Sequence, residues 1–198
     1  MPDHSRWNKN NEILSREAFL DNCIVNIAKK SENDFSLLYH HTSAAVYSYA
    51  LSILKNIYDA EDVMHDCFLK IYGAAPFYRP EGKPLRWILT ITRNLCYEKL
   101  KEKSRFVGPT EENGLEKLFS REDVTAEQRL LAESCMKLLT AEERQIVVLH
   151  AVAGLKHREI AAQMELALPT VLSKYNRALK KLRAQCQKEE SDESPYGK

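Results

Sequence analysis

The sequence predicts an all-α protein of two small helical domains joined by a flexible acidic linker, the second domain being a helix-turn-helix. Apolar residues recur at three- and four-residue steps along most of the chain, which is the period of an amphipathic helix. The 198 residues include only 6 glycines, few for a β protein with many tight turns. Basic and acidic residues are segregated along the chain, which indicates separate functional surfaces.

Three helices are predicted in the first domain, residues 11–105. The first carries one apolar stripe between Phe35 and Leu54. Asp59 is a suitable N-cap for the second helix. We expect the buried side of that helix to comprise Val63, Phe68, Leu69, Ile71 and Tyr72. A glycine- and proline-containing segment at 73–84 should end it, and the third helix should run from about 85 to 103.

The linker is predicted at residues 106–125, where Gly108, Pro109 and Gly114 lie among acids. The second domain is predicted at 126–188. Thr140 and Glu143 have the spacing of a capping box. A short helix at 157–164, a turn at 165–168 and a longer basic helix at 169–185 form the expected helix-turn-helix. The polar tail from Glu189 is expected to be disordered.

The charge pattern predicts two surfaces for a polyanion. Residues 78–105 hold eight Lys and Arg against three Asp and Glu, and residues 137–188 hold ten against four. Residues 106–136, between them, hold seven acids against three bases. The formal charge of +1 for the whole chain hides this segregation. Two basic blocks on helical domains are typical of a nucleic-acid-binding protein.

The first basic block mixes aromatic and cationic side chains. Its rings are Phe77, Tyr78, Trp87 and Tyr97, and its cations are Arg79, Lys83, Arg86, Arg93, Lys99, Lys101 and Arg105. This mixture suits single-stranded DNA, because bases stack on rings at ~1–3 kcal/mol each while cations follow the backbone. The alternative is a solvated cationic face. For Trp87 we expect a core position, since it shares the helical period of Ile88, Ile91 and Leu95.

The second basic block places a polar face on the longer helix of the helix-turn-helix. Thr170, Ser173, Lys174 and Arg177 recur at three- and four-residue spacing, so they lie on one side. This face is expected to enter the major groove, with Lys180, Lys181 and Arg183 further along toward phosphates. The alternative is a basic amphipathic helix that only packs on its neighbours.

Other features exclude several classes of protein. The N-terminus lacks the apolar core of a signal peptide and no apolar run approaches ~18 residues, so a cytoplasmic protein is expected. Five scattered cysteines without a CxxC pair predict reduced thiols. Asp62 and His65 have the spacing of half a metal site, but the other half is missing. The sequence therefore predicts no metal, no cofactor, no small-molecule substrate and no enzymatic activity.

Three stretches together resemble the extracytoplasmic-function (ECF) group of bacterial RNA polymerase sigma factors. DAEDVMHDCFLKIY is similar to the family's acidic polymerase-binding helix. PLRWILTITRNLCYEKLKEKSR is similar to the helix that recognises and melts the minus-ten element. The stretch from LTAEERQ to ALKKLR is similar to the domain that reads the minus-thirty-five element. The resemblance spans about residues 34–184, in the family's order and spacing.

This resemblance implies a function for each stretch. It implies that core RNA polymerase is bound through Asp59, Glu61, Asp62 and Asp66. It implies that minus-ten DNA is contacted by Phe77, Tyr78, Arg79, Lys83, Arg86, Arg93, Asn94 and Lys101. It implies that minus-thirty-five DNA is contacted by Lys156, Arg158, Thr170, Ser173, Lys174, Arg177, Lys180 and Lys181. The expected partners are core polymerase, promoter DNA and an anti-sigma factor.

Several positions depart from the family pattern. Glu165 stands where the turn usually has glycine, at a cost of about 1 kcal/mol if its backbone is left-handed. Ala167 replaces the usual serine, so the helix lacks that N-cap. Pro169 partly offsets the loss by pre-setting the first turn of the helix. Leu172 replaces a basic residue and Lys174 an arginine. Two other functions are weighed against that of a sigma factor: a helix-turn-helix regulator that acts without polymerase, and a helical metal-dependent hydrolase.

Overall fold

A computed structural model describes residues 4–105 and 136–192, with side chains from 16 to 105 and from 136 to 188. Every regular element in these ranges is helical, as predicted. The helices are α1 (His4–Ile27), α2 (Glu32–Leu54), α3 (Ile57–Ala74), α4 (Pro84–Arg105), α5 (Ala141–Ala151), α6 (His157–Met164) and α7 (Leu168–Asp192), with a 3₁₀ turn at Ala75–Phe77. The predicted linker at 106–125 lies outside the described residues.

Helix α1 has no counterpart among the predicted helices. Its side chains Leu20, Cys23, Ile24 and Ile27 are buried, and their three- and four-residue spacing forms one apolar stripe. This stripe packs mainly against α2 and also against α4. The first helical unit is therefore a four-helix assembly, α1 to α4, in which α1 supports the loop before α4.

The start of α3 differs from the prediction. Asn56, not Asp59, is the N-cap, and its side chain accepts the backbone N–H of Asp59 at 3.1 Å. Both residue types can cap a helix, so composition alone does not choose between them. Asp59 consequently lies within the first turn of α3, where the helix dipole favours its carboxylate.

The buried side of α3 also differs in part. Val63, Phe68 and Ile71 are buried as predicted. Leu69 and Tyr72 are not: 69% and 49% of their surfaces are exposed. Leu69 follows Asp66 by three residues and Asp62 by seven, so the helical period itself places it on the acidic side of α3, away from the core. The exposed pair lies on an outward face of the first unit.

Four cysteines are free thiols in the described part of the chain. Cys23, Cys67 and Cys96 are buried, and Cys186 is partly exposed. Burial raises the pKa of the Cys67 thiol to about 11 and that of Cys96 to about 12, so both stay protonated at neutral pH. This agrees with the predicted reduced thiols. No helix in the described ranges is long and apolar enough to cross a membrane.

The second helical unit begins with the predicted capping box, which is confirmed. Thr140 Oγ1 accepts the N–H of Glu143 at 3.3 Å, and the Glu143 carboxylate accepts the N–H of Thr140 at 3.0 Å. The buried Arg144 guanidinium donates to the carbonyls of Met136 and Leu139. These bonds anchor the segment before α5 to the helix itself.

The helix-turn-helix is formed by α6 and α7. The bounds of α6 match the prediction, and Glu165 has the left-handed backbone considered from sequence, with φ 58°. Helix α7 begins at Leu168 and continues to Asp192, beyond the predicted end at 185. The expectation of disorder from Glu189 is therefore wrong as far as 192, because the helix propagates through residues with good helix propensity such as Gln187 and Lys188.

The two helical units share one apolar core in the described residues. Ile146 and Leu149 of α5 pack into the same cluster as α2. Polar bonds join α4 to the helix-turn-helix: Thr90 Oγ1 lies 3.3 Å from Gln163 Oε1, and Arg93 Nη1 lies 2.6 Å from Glu165 Oε1. The two units, predicted as domains joined by a flexible linker, are thus in contact with each other.

Candidate polymerase and nucleic-acid interfaces

The acids at the start of α3 have different surroundings. Asp59 is buried, forms an ion pair with Lys103 and lies 3.8 Å from Lys99 Nζ. Asp62 is exposed and lies 2.7 Å from the same ammonium. The hydrogen bond and charge of Lys99 lower the pKa of the Asp62 carboxyl. Asp59 therefore ties α3 to α4, whereas Asp62 is accessible to a partner.

Asp66 continues the accessible acidic face, and Glu61 lies beside it, half-buried. Leu69 follows Asp66 by three residues and is exposed, so an apolar side chain adjoins the acids. Tyr72 packs edge-on to Phe35 at a centroid distance of 6.0 Å. The outward side of α3 is thus a mixed acidic and apolar surface, called here the α3 face: Asp62, Asp66, Leu69 and Tyr72.

Asp62 and His65 of α3 have the spacing of half a metal site. In the described ranges, no group of three or more His, Cys, Asp or Glu side chains is arranged to hold a metal ion. Asp62 instead binds Lys99.

An open pocket of about 390 Å³ lies between the loop before α4 and the first turns of that helix. Five side chains predicted to contact minus-ten DNA line it: Phe77, Tyr78, Arg79, Lys83 and Arg86. Glu81, Trp87 and Thr90 complete the lining. Cations and aromatic rings therefore surround one concave site, as required for binding an unstacked base.

The rings of this pocket have two distinct roles. Phe77 is 85% exposed, so its face is available for stacking. Tyr78 is half-buried and packs on Trp87 at a centroid distance of 4.7 Å. The expectation that Trp87 is a core residue holds only in part, because the indole packs against the core and also forms a wall of the pocket.

The remaining residues predicted for minus-ten DNA lie further along α4. Arg93 is engaged by Glu165 and also lies over the Tyr97 ring, 5.4 Å from its centroid. The hydrogen bond that Arg93 donates to the Glu165 carboxylate raises the pKa of Arg93, which keeps the guanidinium charged. Asn94 and Lys101 are exposed and do not line the pocket. The structure therefore groups five of the eight predicted residues and leaves three outside.

Helix α7 divides its polar residues between solvent and α5. Ser173, Arg177 and Lys180 are exposed, with Thr170 half-buried at the same side. Lys174 lies 2.5 Å from Glu142, and Lys181 lies 2.6 Å from Glu143. These two lysines hold α7 on α5, whereas sequence placed them toward DNA. Lys156 and Arg158, at the start of α6, are exposed.

A stacked ring cluster supports the helix-turn-helix from within. The imidazoles of His150 and His157 stack at 4.6 Å, and Tyr175 of α7 meets both edge-on. His150 Nδ1 lies 2.9 Å from the Leu155 carbonyl oxygen. Burial, and then the neighbouring His150, lower the pKa of His157, so its neutral form is favoured.

Comparison with known proteins gives two family matches in chain order. The model described as Sigma-70 region 2 matches residues 38–106, which contain the α3 face and the pocket. The model described as Sigma-70, region 4 matches residues 129–182, which contain the helix-turn-helix. The two matches together cover more than half of the chain.

Relatives found by sequence extend over most of the chain. "ECF RNA polymerase sigma factor SigK" of Mycobacterium ulcerans (strain Agy99) is 24% identical over 164 residues, covering 79% of this chain and 88% of that protein. "ECF RNA polymerase sigma factor SigL" of Mycobacterium tuberculosis (strain ATCC 35801 / TMC 107 / Erdman) is 28% identical over 151 residues, covering 74% and 85%.

Solved structures share the fold. CnrH, in complex with the cytosolic domain of CnrY, has a TM-score of 0.61 at 20% identity, over 85% of this chain and 97% of that one. The sigma factor RpoE of Bartonella quintana has a TM-score of 0.66 at 21% identity, over 78% and 97%. Because both sigma-70 regions match in order on this fold, the chain belongs to the ECF group of RNA polymerase sigma factors, which direct the enzyme to promoters.

Proposed function

We propose that the pocket before α4 captures an unstacked base of the minus-ten element while polymerase opens the promoter. The observation that carries this is the convergence of Phe77, Arg79 and Lys83 on one concave site. The exposed Phe77 ring offers a stacking surface, and the two cations can neutralise neighbouring phosphates. Glu81, the acid in the pocket lining, is exposed at its rim.

We infer that core polymerase binds the α3 face. Its exposed carboxylates at Asp62 and Asp66 suit a basic partner surface, and Leu69 supplies apolar area at its centre. Glu61 lies at the edge of this surface. Asp59 contributes indirectly, because its ion pair with Lys103 sets the position of α3 against α4.

Helix α7 is proposed to read the minus-thirty-five element. Ser173 and Arg177 are exposed and Thr170 is half-buried beside them, so these side chains can reach base edges in the major groove. Lys180 follows on the same side, toward the phosphates. Lys156 and Arg158 are proposed to hold the backbone from α6, whereas Lys174 and Lys181 keep α7 in place.

The chain is proposed to open DNA without catalysing a reaction. Flipping a base costs a few kcal/mol. The sequence has no GxxxxGK[ST] motif for a nucleoside triphosphate. Binding energy shared with polymerase therefore drives opening, and the protein acts in the cytoplasm, where polymerase and DNA are found.

An anti-sigma factor is the proposed regulator. RpoE, which shares this fold, was solved in complex with the anti-sigma factor NepR. Such a partner could cover the α3 face and prevent polymerase binding. Co-expression with each neighbouring gene, scored by transcription from a target promoter, tests the proposal. If none suppresses transcription, regulation by abundance replaces it.

Reconstitution tests the function as a whole. Core polymerase is mixed with the chain and genomic DNA, and transcript 5′ ends are mapped against core polymerase alone. We expect new start sites that share upstream elements at two fixed distances. Co-purification without any new start sites would leave a polymerase-binding protein that is not an initiation factor.

A further inference from the structure

A buried carboxylate of α1 is aimed at the loop that forms the pocket. Asp21 is 9% exposed and precedes the part of the chain matched by the region 2 family model. One of its oxygens accepts the phenol O–H of Tyr78. The other accepts the backbone N–H of Gly82 at 3.1 Å. A single side chain therefore holds the loop at two points.

These two bonds span the part of the loop with the least regular backbone. Gly82 has a φ of +69°, a left-handed conformation that glycine adopts without strain. Tyr78 is held between Asp21 and the Trp87 ring. Burial, and then the hydrogen bond to Asp21, raise the pKa of Tyr78, so the phenol stays protonated and donates. Residues 78–82 are thereby fixed on α1 before any DNA arrives.

The loop carries two of the groups that converge on the pocket. Arg79 lies between the two anchored residues, and Lys83 follows the second. A loop without anchors must lose conformational entropy when it binds a flexible strand. A loop already anchored does not incur that loss on binding.

We propose that Asp21 is a positioning residue for strand capture: it pre-organises loop 78–82 so that Arg79 and Lys83 face the pocket. The proposal rests on the proposed capture function of that pocket. Asp21 does not line the pocket and acts through Tyr78 and Gly82. Its effect should therefore appear in binding of single-stranded minus-ten DNA and not in binding of polymerase.

The test uses holoenzyme assembled from core polymerase and the full chain. The probe is a fluorescein-labelled single strand with the non-template minus-ten sequence of a promoter mapped with the wild type. Asp21→Asn leaves one acceptor oxygen where the carboxylate has two, one for each donor. Tyr78→Phe removes the phenol hydroxyl and keeps a ring against Trp87. Each change should weaken probe binding about tenfold, as for loss of a charge-assisted hydrogen bond. Glu32→Gln, an exposed charge loss on α2, is the control and should bind like wild type.

A double variant, Asp21→Asn with Tyr78→Phe, tests whether the two residues act through the same contact. If Asp21 acts through Tyr78, the double variant binds the probe with the same affinity as whichever single variant binds it less tightly. Full additivity, an unchanged affinity of Asp21→Asn, or an equal loss of core polymerase binding would each overturn the proposal. Should the wild-type holoenzyme not bind the probe, the capture function itself fails. A normal wild type with an unaffected Asp21→Asn would reject only the role of Asp21.

Discussion

At the scale of single residues, the acids of α3 show that position decides what a carboxylate does. Asp59 and Asp66 lie two turns apart on one helix. The first is buried against Lys103, and the second is open to solvent. The same residue type therefore joins two helices in one place and remains accessible to a partner in the other.

Substituting the two acids separates these roles. Asp66→Lys should abolish co-elution with core polymerase while leaving the unfolding free energy within about 0.5 kcal/mol of wild type. Asp59→Asn should instead lower the unfolding free energy by about 1–3 kcal/mol, because a hydrogen bond to a charged group is lost. Size-exclusion chromatography with core polymerase and urea titration measure the two effects. Wild-type co-elution of Asp66→Lys would remove the α3 face from the polymerase interface.

His157 gives the helix-turn-helix a dependence on pH. Its folded-state pKa lies below the ordinary value of 6.5, so the unfolded chain binds the proton more tightly. The stabilisation by neutral His157 is complete above that value and is lost as the pH falls through 6.5 toward the folded pKa. Between about pH 7.5 and 5.5, the melting temperature of His157→Phe should therefore fall less steeply than that of the wild type. The exposed His65→Gln is the control, and identical slopes for His157→Phe and wild type would contradict the assignment.

At the scale of elements, α7 separates exposed polar residues, which we propose read DNA, from lysines that hold the helix on α5. The neighbours Lys180 and Lys181 point to different surroundings, since only Lys181 reaches Glu143. Although burial opposes it, the bond from Lys181 lowers the pKa of Glu143, which keeps that carboxylate ionised as a cap. The same helix thus leaves Lys180 exposed to solvent while Lys181 holds it on α5.

Alanine substitutions along α7 should give three different results. Arg177→Ala should cost about 1–3 kcal/mol of discrimination among minus-thirty-five variants. Lys180→Ala should weaken all variants alike and reduce the salt slope by nearly one unit. Lys181→Ala should lower the unfolding free energy and change neither the sequence discrimination nor the salt slope of DNA binding by much. Holoenzyme binding to a panel of duplexes at several salt concentrations measures these effects. A change in sequence preference with Lys180→Ala alone would mean that the helix faces DNA differently.

The elements also show what local sequence determines. The capping box of α5, the bounds of α6 and the left-handed Glu165 were predictable, because each depends on neighbouring residues. The cap at Asn56 was not, since Asn56 and Asp59 are both favourable cap residues. The exposure of Leu69 was predictable but missed, since its position three residues after Asp66 lies on the acidic side of α3. Helix α1 was predictable, because its buried apolar residues recur at three- and four-residue spacing in the sequence.

At the scale of the whole molecule, the docked units bring the two DNA-binding regions together. Arg93, predicted for minus-ten DNA, is held by Glu165 of the helix-turn-helix. The family resemblance indicated the two units and their order. It did not indicate their contact, because that depends on side chains far apart in sequence. The pocket likewise could not be foreseen from sequence, since Trp87 and Thr90 join it only in the folded chain.

Glu165→Gly should release Arg93 with little effect on stability. The change relieves a left-handed backbone worth about 1 kcal/mol. It also removes an ion pair whose glutamate is 75% exposed, worth at most about 1 kcal/mol. Urea titration should show a change smaller than about 1 kcal/mol, and open-complex yield should not decrease. A larger loss of stability would mean that this pair is a principal contact between the units.

The most direct test of strand capture compares two templates. Arg79→Ala with Lys83→Ala should reduce open complexes on a duplex promoter and have a smaller effect on a promoter with a pre-melted bubble, whose unstacking cost is already met. The control with equal charge loss is Lys29→Ala with Lys30→Asn, since asparagine tolerates the left-handed backbone of Lys30. Permanganate footprinting of both templates is the measurement. A selective loss on the duplex is the predicted result, and an equal loss on both templates would contradict a role in opening.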